Sequence, residues 1–179
     1  MENSQATHGS YTKFFAMIGT SMVAMFFLMY LNSYDILGHA WFSETRLFMT
    51  LIMGAAMMVI MLAFMLGMYK NSKVNMAIFL GAGLLLLSAL WLVRSQITVT
   101  GEDYMEGMIP HHSIAILTSE RARIDDPRVR KLADEIIKAQ RKEIKEMEWL
   151  IADIRANGVA TDQAKADARP VPAFSGTQE

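Results

Sequence analysis

Residues 47–93 read LFMTLIMGAAMMVIMLAFMLGMYKNSKVNMAIFLGAGLLLLSALWLV, and this stretch decides the fold. It contains two charge-free apolar runs, 47–69 and 74–93, separated only by the polar turn KNSK. At 1.5 Å per residue, runs of this length reach about 30–35 Å as helices, which matches a bilayer hydrocarbon core of about 30 Å. A four-residue turn between them makes the two helices antiparallel neighbours. Upstream, 14–31 is a third charge-free run. It is preceded by a single Lys13 and followed by no small-x-small cleavage pattern, so it reads as a retained span rather than a removed signal.

Charge is distributed to match. Before residue 95 the charged side chains are Glu2, Lys13, Asp35, Glu44, Arg46, Lys70, Lys73 and Arg94; the rest of the charge lies beyond. Lys13, Lys70 and Lys73 fall on one side of the three spans, Arg46 and Arg94 on the other. The excess puts the N-terminus inside and the polar C-terminal part outside, that is, in a bacterial inner membrane with a periplasmic domain. Tyr11, Tyr30, Tyr34, Trp41 and Trp91 suit the aromatic belts at the span ends. A net charge of −1 offers no basic stripe for nucleic acid. With no cysteine, neither disulfides nor thiolate ligands are available.

Beyond the spans, 95–100 is a connector. Thr100 and Asp103 form a capping-box pattern that starts a helix near 101. The DDP at 125–127 stops it and starts a second, with Asp126 as N-cap and Pro127 at the first helical position. The second helix carries an apolar stripe through Val129, Leu132, Ile136, Ile137, Ile144, Met147, Leu150, Ile151 and Ile154, and closes at Asn157-Gly158. Residues 158–179 show little periodicity and read as a mobile tail. The expected organisation is therefore all-α: an N-terminal cytoplasmic segment 1–13, a three-helix membrane region 14–94, a connector 95–100, a helical hairpin 101–157 and the tail. A hairpin of about 55 residues buries little alone. A second copy, completing a four-helix bundle as a homodimer or higher oligomer, is the economical cover for its stripe; the membrane part or another protein is the rival.

The chemistry sits on the first outer helix, in DYMEGMIPHHSIAILTSERA, 103–122. Met105, Met108 and His112 share a face at i, i+3 and i+7, and His111 flanks it. Two thioethers and two imidazoles form a soft-to-borderline donor set that suits copper, Cu(I) above all. Di-iron bundles place a Glu three residues before the His; here Met108 stands in that place. Pro110 removes one backbone donor and leaves the carbonyl of Glu106 without its helical partner, predicting a kink or restart before the histidines. On the second helix Met147 is placed to complete the donor set, while Gln140 and Glu143 interrupt the stripe where they would orient an imidazole. Plain packing and a wet bundle edge are the competing readings of those three.

The segments DYMEGMIPHHSIAI and DDPRVRKLADEIIKAQRKEIKEMEWL resemble the family called domain of unknown function 305, over roughly 102–152. The matching positions are Met108, His111, His112 and Ala115, then Gln140, Glu143, Ile144 and Met147. The resemblance implies a ferritin-like helical fold, frequently periplasmic, with copper binding and copper tolerance in some members. This chain carries the hairpin once where many relatives carry it twice, and ILTSERA stands where a further Met is usual.

In the spans, Met49, Met53, Met57, Met61 and Met65 recur every fourth residue, and Met22, Met25 and Met29 follow a similar face. A thioether ladder for Cu(I) is one reading; adaptable packing is the other. Three functions follow as expectations. The first is a membrane-anchored copper-binding protein for storage, buffering or delivery. The second is a copper transporter using the ladder. The third is a non-metal accessory or assembly subunit of a membrane complex. Besides the lipid bilayer, the partners expected are copper-handling or membrane-complex proteins. Nothing in the sequence defines a substrate for catalysis.

Overall fold

The computed structural model describes residues 2–177, with side chains from residue 11 onward. Among the described residues there is no strand. The helices are α1 (Glu2–Leu28), α2 (Glu44–Phe64), α3 (Ser72–Ser95), α4 (Gly101–Arg121), α5 (Pro127–Asn157) and the short α6 (Gln163–Asp167). Three of them, over Tyr11–Leu28, Glu44–Phe64 and Ser72–Ser95, are long and apolar enough to cross a membrane. The chain divides into two compact units. One takes the chain up to Met29 together with Glu44–Thr98; the other takes Tyr30–Ser43 and everything from Val99 onward.

In the first unit α2 packs against both α1 and α3. Its helix ends five residues earlier than the apolar run. Met65 N–H is shared between the carbonyls of Met61 and Leu62, at 3.0 and 3.1 Å, and Tyr69 N–H returns to Met65. Such shared bonds tighten a helix end, and the chain then enters the turn before α3. Asn71 caps α3, its side chain accepting from the N–H groups of Lys73 and Val74. Asn75, buried one turn later, ties the unit together. It accepts from the Tyr11 hydroxyl at 2.7 Å and donates to the Tyr69 carbonyl at 2.7 Å. Phe14, Ile18, Leu62, Tyr69 and Ile78 form the core around this point.

The methionines at 49, 53, 57, 61 and 65 do not line one edge. A step of four residues overshoots a full helical turn by about 40°, so five of them wind around roughly 160° of the helix. Met57, Met61 and Met65 pack with Met22 against the core, whereas Met49 is 43% exposed. Met22 also fills the space over Gly54, where a Cβ would meet its sulfur.

In the second unit α4 and α5 form the hairpin, around Met105, Ile109, Ile116, Ile137, Ile144, Met147 and Ile151. Ion pairs of Arg155 with Glu102 and Glu106, and of Arg141 with Glu120, hold the antiparallel register at both ends. Part of the stripe is covered from within the chain, while Val129 and Leu132 stay exposed. Tyr34 and Trp41, from the segment between α1 and α2, pack on the hairpin core. The Arg141 guanidinium lies 5.7 Å from the Tyr34 ring centre and that of Arg155 lies 5.6 Å from Trp41. These two aromatics, expected in a membrane belt, serve as cover for the hairpin, because a flat ring under a guanidinium also satisfies the cation. The Asp35 carboxylate shapes the segment by accepting from Leu37 N–H at 3.1 Å and Gly38 N–H at 2.8 Å.

The C-terminal stretch is also placed. Arg169 donates to Asp153 at 2.6 Å and to the Gly158 carbonyl at 3.1 Å. From there the chain runs back along α5 to Lys138, where Gly176 lies so close that a Cβ would collide with the Lys138 carbonyl oxygen. The run from Asp153 back to Lys138 is about 22 Å of helix, and the segment from 169 to 176 spans it when extended.

Candidate functional site

The site helix begins as its sequence requires. Thr100 N–H bonds the Asp103 carboxylate at 3.0 Å and Asp103 N–H bonds the Thr100 hydroxyl at 3.3 Å, the reciprocal capping box. The Thr100 hydroxyl and then its N–H hold the Asp103 carboxyl below its ordinary range, and the charge suits the helix N-terminus. From there α4 is continuous through the buried Pro110 to Arg121. α5 starts at Asp126, whose carboxylate accepts from Arg128 N–H at 2.8 Å, and it ends at Gly158 with φ of 75°.

His112 adds a further polar contact between the two helices, midway between their end ion pairs. Its side chain is 13% exposed and its Nδ1 lies 3.1 Å from Glu143 Oε2 on α5. The approach is close enough for electrostatic attraction but is not aligned as a hydrogen bond. Buried Nδ1 is left without a hydrogen-bond partner among the described residues. Burial pushes the His112 pKa below its ordinary value; Glu143 opposes this and His111 adds to it. The ring is thus biased toward the neutral form, the one that can donate a lone pair to a metal.

The remaining residues divide by depth. His111 is exposed, with its ring centre 6.0 Å from that of His112 and the planes at 61°. Met105 and Met147 are core members, 8% and 9% exposed, and Met108 packs against the same cluster. Met108 lies one turn before His112 on α4, and Met147 one turn after Glu143 on α5. In an antiparallel hairpin those two steps run the same way, so the thioether pair occupies the level next to the imidazole–carboxylate pair. Gln140 is half-buried, one turn before Glu143. Among the described residues no three His, Asp or Glu side chains converge.

Ser113 and His39, which no sequence pattern marked, also meet here together with Tyr34. Ser113, fully buried, accepts from Tyr34 N–H at 2.7 Å and is hydrogen-bonded to His39 Nδ1 at 2.8 Å. The available signal was a serine on the Ile109–Ile116 face, where a buried hydroxyl demands partners. Next to it a cleft of about 240 Å³ is lined by Tyr34, His39, Arg141 and Glu148, among others. Burial there raises the pKa of the half-buried Glu148, with His39 acting in the opposite direction.

Residues 101–177 match the family described as "Domain of unknown function (DUF305)". An uncharacterized protein of Acanthamoeba polyphaga mimivirus is 38% identical over 69 residues. That similarity covers 37% of this chain and 45% of the viral protein, so the match spans under half the length of that relative. No solved structure matches the chain.

Proposed function

We propose that this chain, whose residues 101–177 form a DUF305 domain, is a membrane-anchored copper-binding protein. The bound ion is cargo, taken as Cu(I) and held for storage, buffering or delivery on the periplasmic side. One observation carries the reading. His112 presents a buried Nδ1 with no hydrogen bond, beside Glu143, with the thioethers of Met108 and Met147 at the next level of the hairpin. A buried imidazole nitrogen that makes no hydrogen bond and has only an unaligned carboxylate beside it is poorly satisfied. A soft cation satisfies it, and thioether with imidazole is the donor set such a cation prefers. Glu143 contributes negative charge close to the ring, which favours a cation there. His111, exposed beside His112, is the donor positioned for capture and release, and Met105 lies one turn deeper than Met108.

The α2 methionines support a packing role, since Met57, Met61 and Met65 are engaged with the core of the first unit. The transport reading therefore has no observation in its favour.

The test is a Cu(I) competition titration of the full-length protein in detergent. About one Cu(I) per chain is expected, with binding abolished in a His111→Ala/His112→Ala double variant and weakened about tenfold or more in Met108→Leu. Unchanged binding in the double variant overturns the assignment.

A further inference from the structure

Ser113 stands beside His112 and is 0% exposed, with Ile109 and Ile116 equally deep on the same face of α4. A hydroxyl in such a stripe costs stability unless it is hydrogen-bonded. Both of its partners come from outside the hairpin, on the segment joining α1 to α2: Tyr34 N–H at 2.7 Å and His39 Nδ1 at 2.8 Å. That segment is itself anchored, by the Asp35 turn, by Tyr34 beside Arg141 and by Trp41 beside Arg155. α4 is thus tied at one residue to a segment that is itself held against α5.

The location of the pin matters. Successive helical residues differ by about 100° in direction, so fixing Ser113 fixes where His112 aims. Pro110, one turn upstream, supplies no N–H to the Glu106 carbonyl. The hydrogen-bond ladder is therefore open just before the histidines, and the rotational setting of the next turn depends more on what holds it from outside.

We propose that His39, acting through Ser113, is a positioning residue for the Cu(I) site: it holds His112 toward α5, beside Glu143, before any metal arrives. This rests on the copper reading above. His39 bonds through Nδ1 and contributes no donor to the metal. Residues that orient a metal-ligating imidazole without touching the metal set affinity, and losing one costs about 10–100-fold.

Full-length protein in detergent is compared as wild type, His39→Ala and His39→Asn; the Asn amide keeps a hydrogen-bonding group where Nδ1 stands. Two readouts are taken: Cu(I) affinity by competition, and the imidazole NMR signals of His112 without metal. The expected result is an affinity loss of about tenfold or more in His39→Ala, near-complete rescue in His39→Asn, and displaced metal-free His112 signals in His39→Ala alone. Unmoved His112 signals in His39→Ala overturn the proposal, even where the melting temperature falls. Equal loss of affinity in both variants also overturns it, since that makes His39 a ligand. If wild-type protein binds no Cu(I), the copper reading fails. The positioning role is then decided by the metal-free signals alone: displaced signals in His39→Ala support it and unmoved ones refute it.

Discussion

The half-buried Glu148 and the more deeply set His112 are titratable groups with opposite consequences for pH. Burial raises the Glu148 pKa, so its contribution to stability is complete below the unfolded-state value of about 4.3 and is lost as pH rises through the folded one. Glu148→Gln is expected to stabilise the domain at pH 7 by about 0.5 kcal/mol, a small figure because half-exposure screens the group. The advantage should vanish near pH 4 in thermal melts. His112 runs the other way. Its lowered pKa gives stability present above about pH 6.5 and lost as pH falls through the folded value, because the unfolded chain takes up the proton first. The melting temperature of wild type relative to His112→Gln should therefore fall on going from pH 7.5 to pH 5.5. A constant difference would show that the ring does not titrate differently on folding.

Among elements, two glycines make opposite predictions from similar crowding. Alanine at Gly54 would place its Cβ on the end of the Met22 side chain, which can swing aside. The cost is expected to stay under about 1 kcal/mol, helped by better helix propensity. Alanine at Gly176 meets the Lys138 backbone, which cannot move without unwinding α5, so the C-terminal strap must lift instead. Amide exchange across residues 169–177 should rise sharply in Gly176→Ala while α5 stays protected. Unchanged exchange would mean that the strap is held elsewhere. In the first unit, Asn75→Leu removes the bond from Tyr11 and strands the Tyr69 carbonyl. A loss of about 1 kcal/mol is expected in denaturation from detergent micelles, near the upper part of the range for polar contacts between membrane helices.

At the scale of the whole molecule, the two units were legible in the sequence to different degrees. Three charge-free runs announce three apolar helices because length and hydropathy act residue by residue. Thr100 with Asp103, Asp126 with Pro127 and Asn157 with Gly158 mark the hairpin ends because capping is local, and all three marks coincide with the observed boundaries. The Met-x-x-His-His pattern and Glu143 drew attention to the site for a similar reason: helical spacing puts them on definable faces. What stayed hidden involves residues far apart in the chain. Tyr34 and Trp41 next to span ends have two uses, in a membrane belt or on a helix, and only the distant Arg141 and Arg155 choose between them. His39 looks like an isolated loop histidine until Ser113 is brought to it. Beyond the short α6, residues 169–177 lack periodicity because they run as a strap held at Arg169 and Gly176, and a strap needs anchors rather than a repeating face. The sequence by itself thus determined the helices, their ends and the residue types gathered near His112. Tertiary structure alone decided which segment covers the hairpin and which hydroxyl pins α4, because those contacts are set by complementary shape and charge between stretches that no local pattern connects.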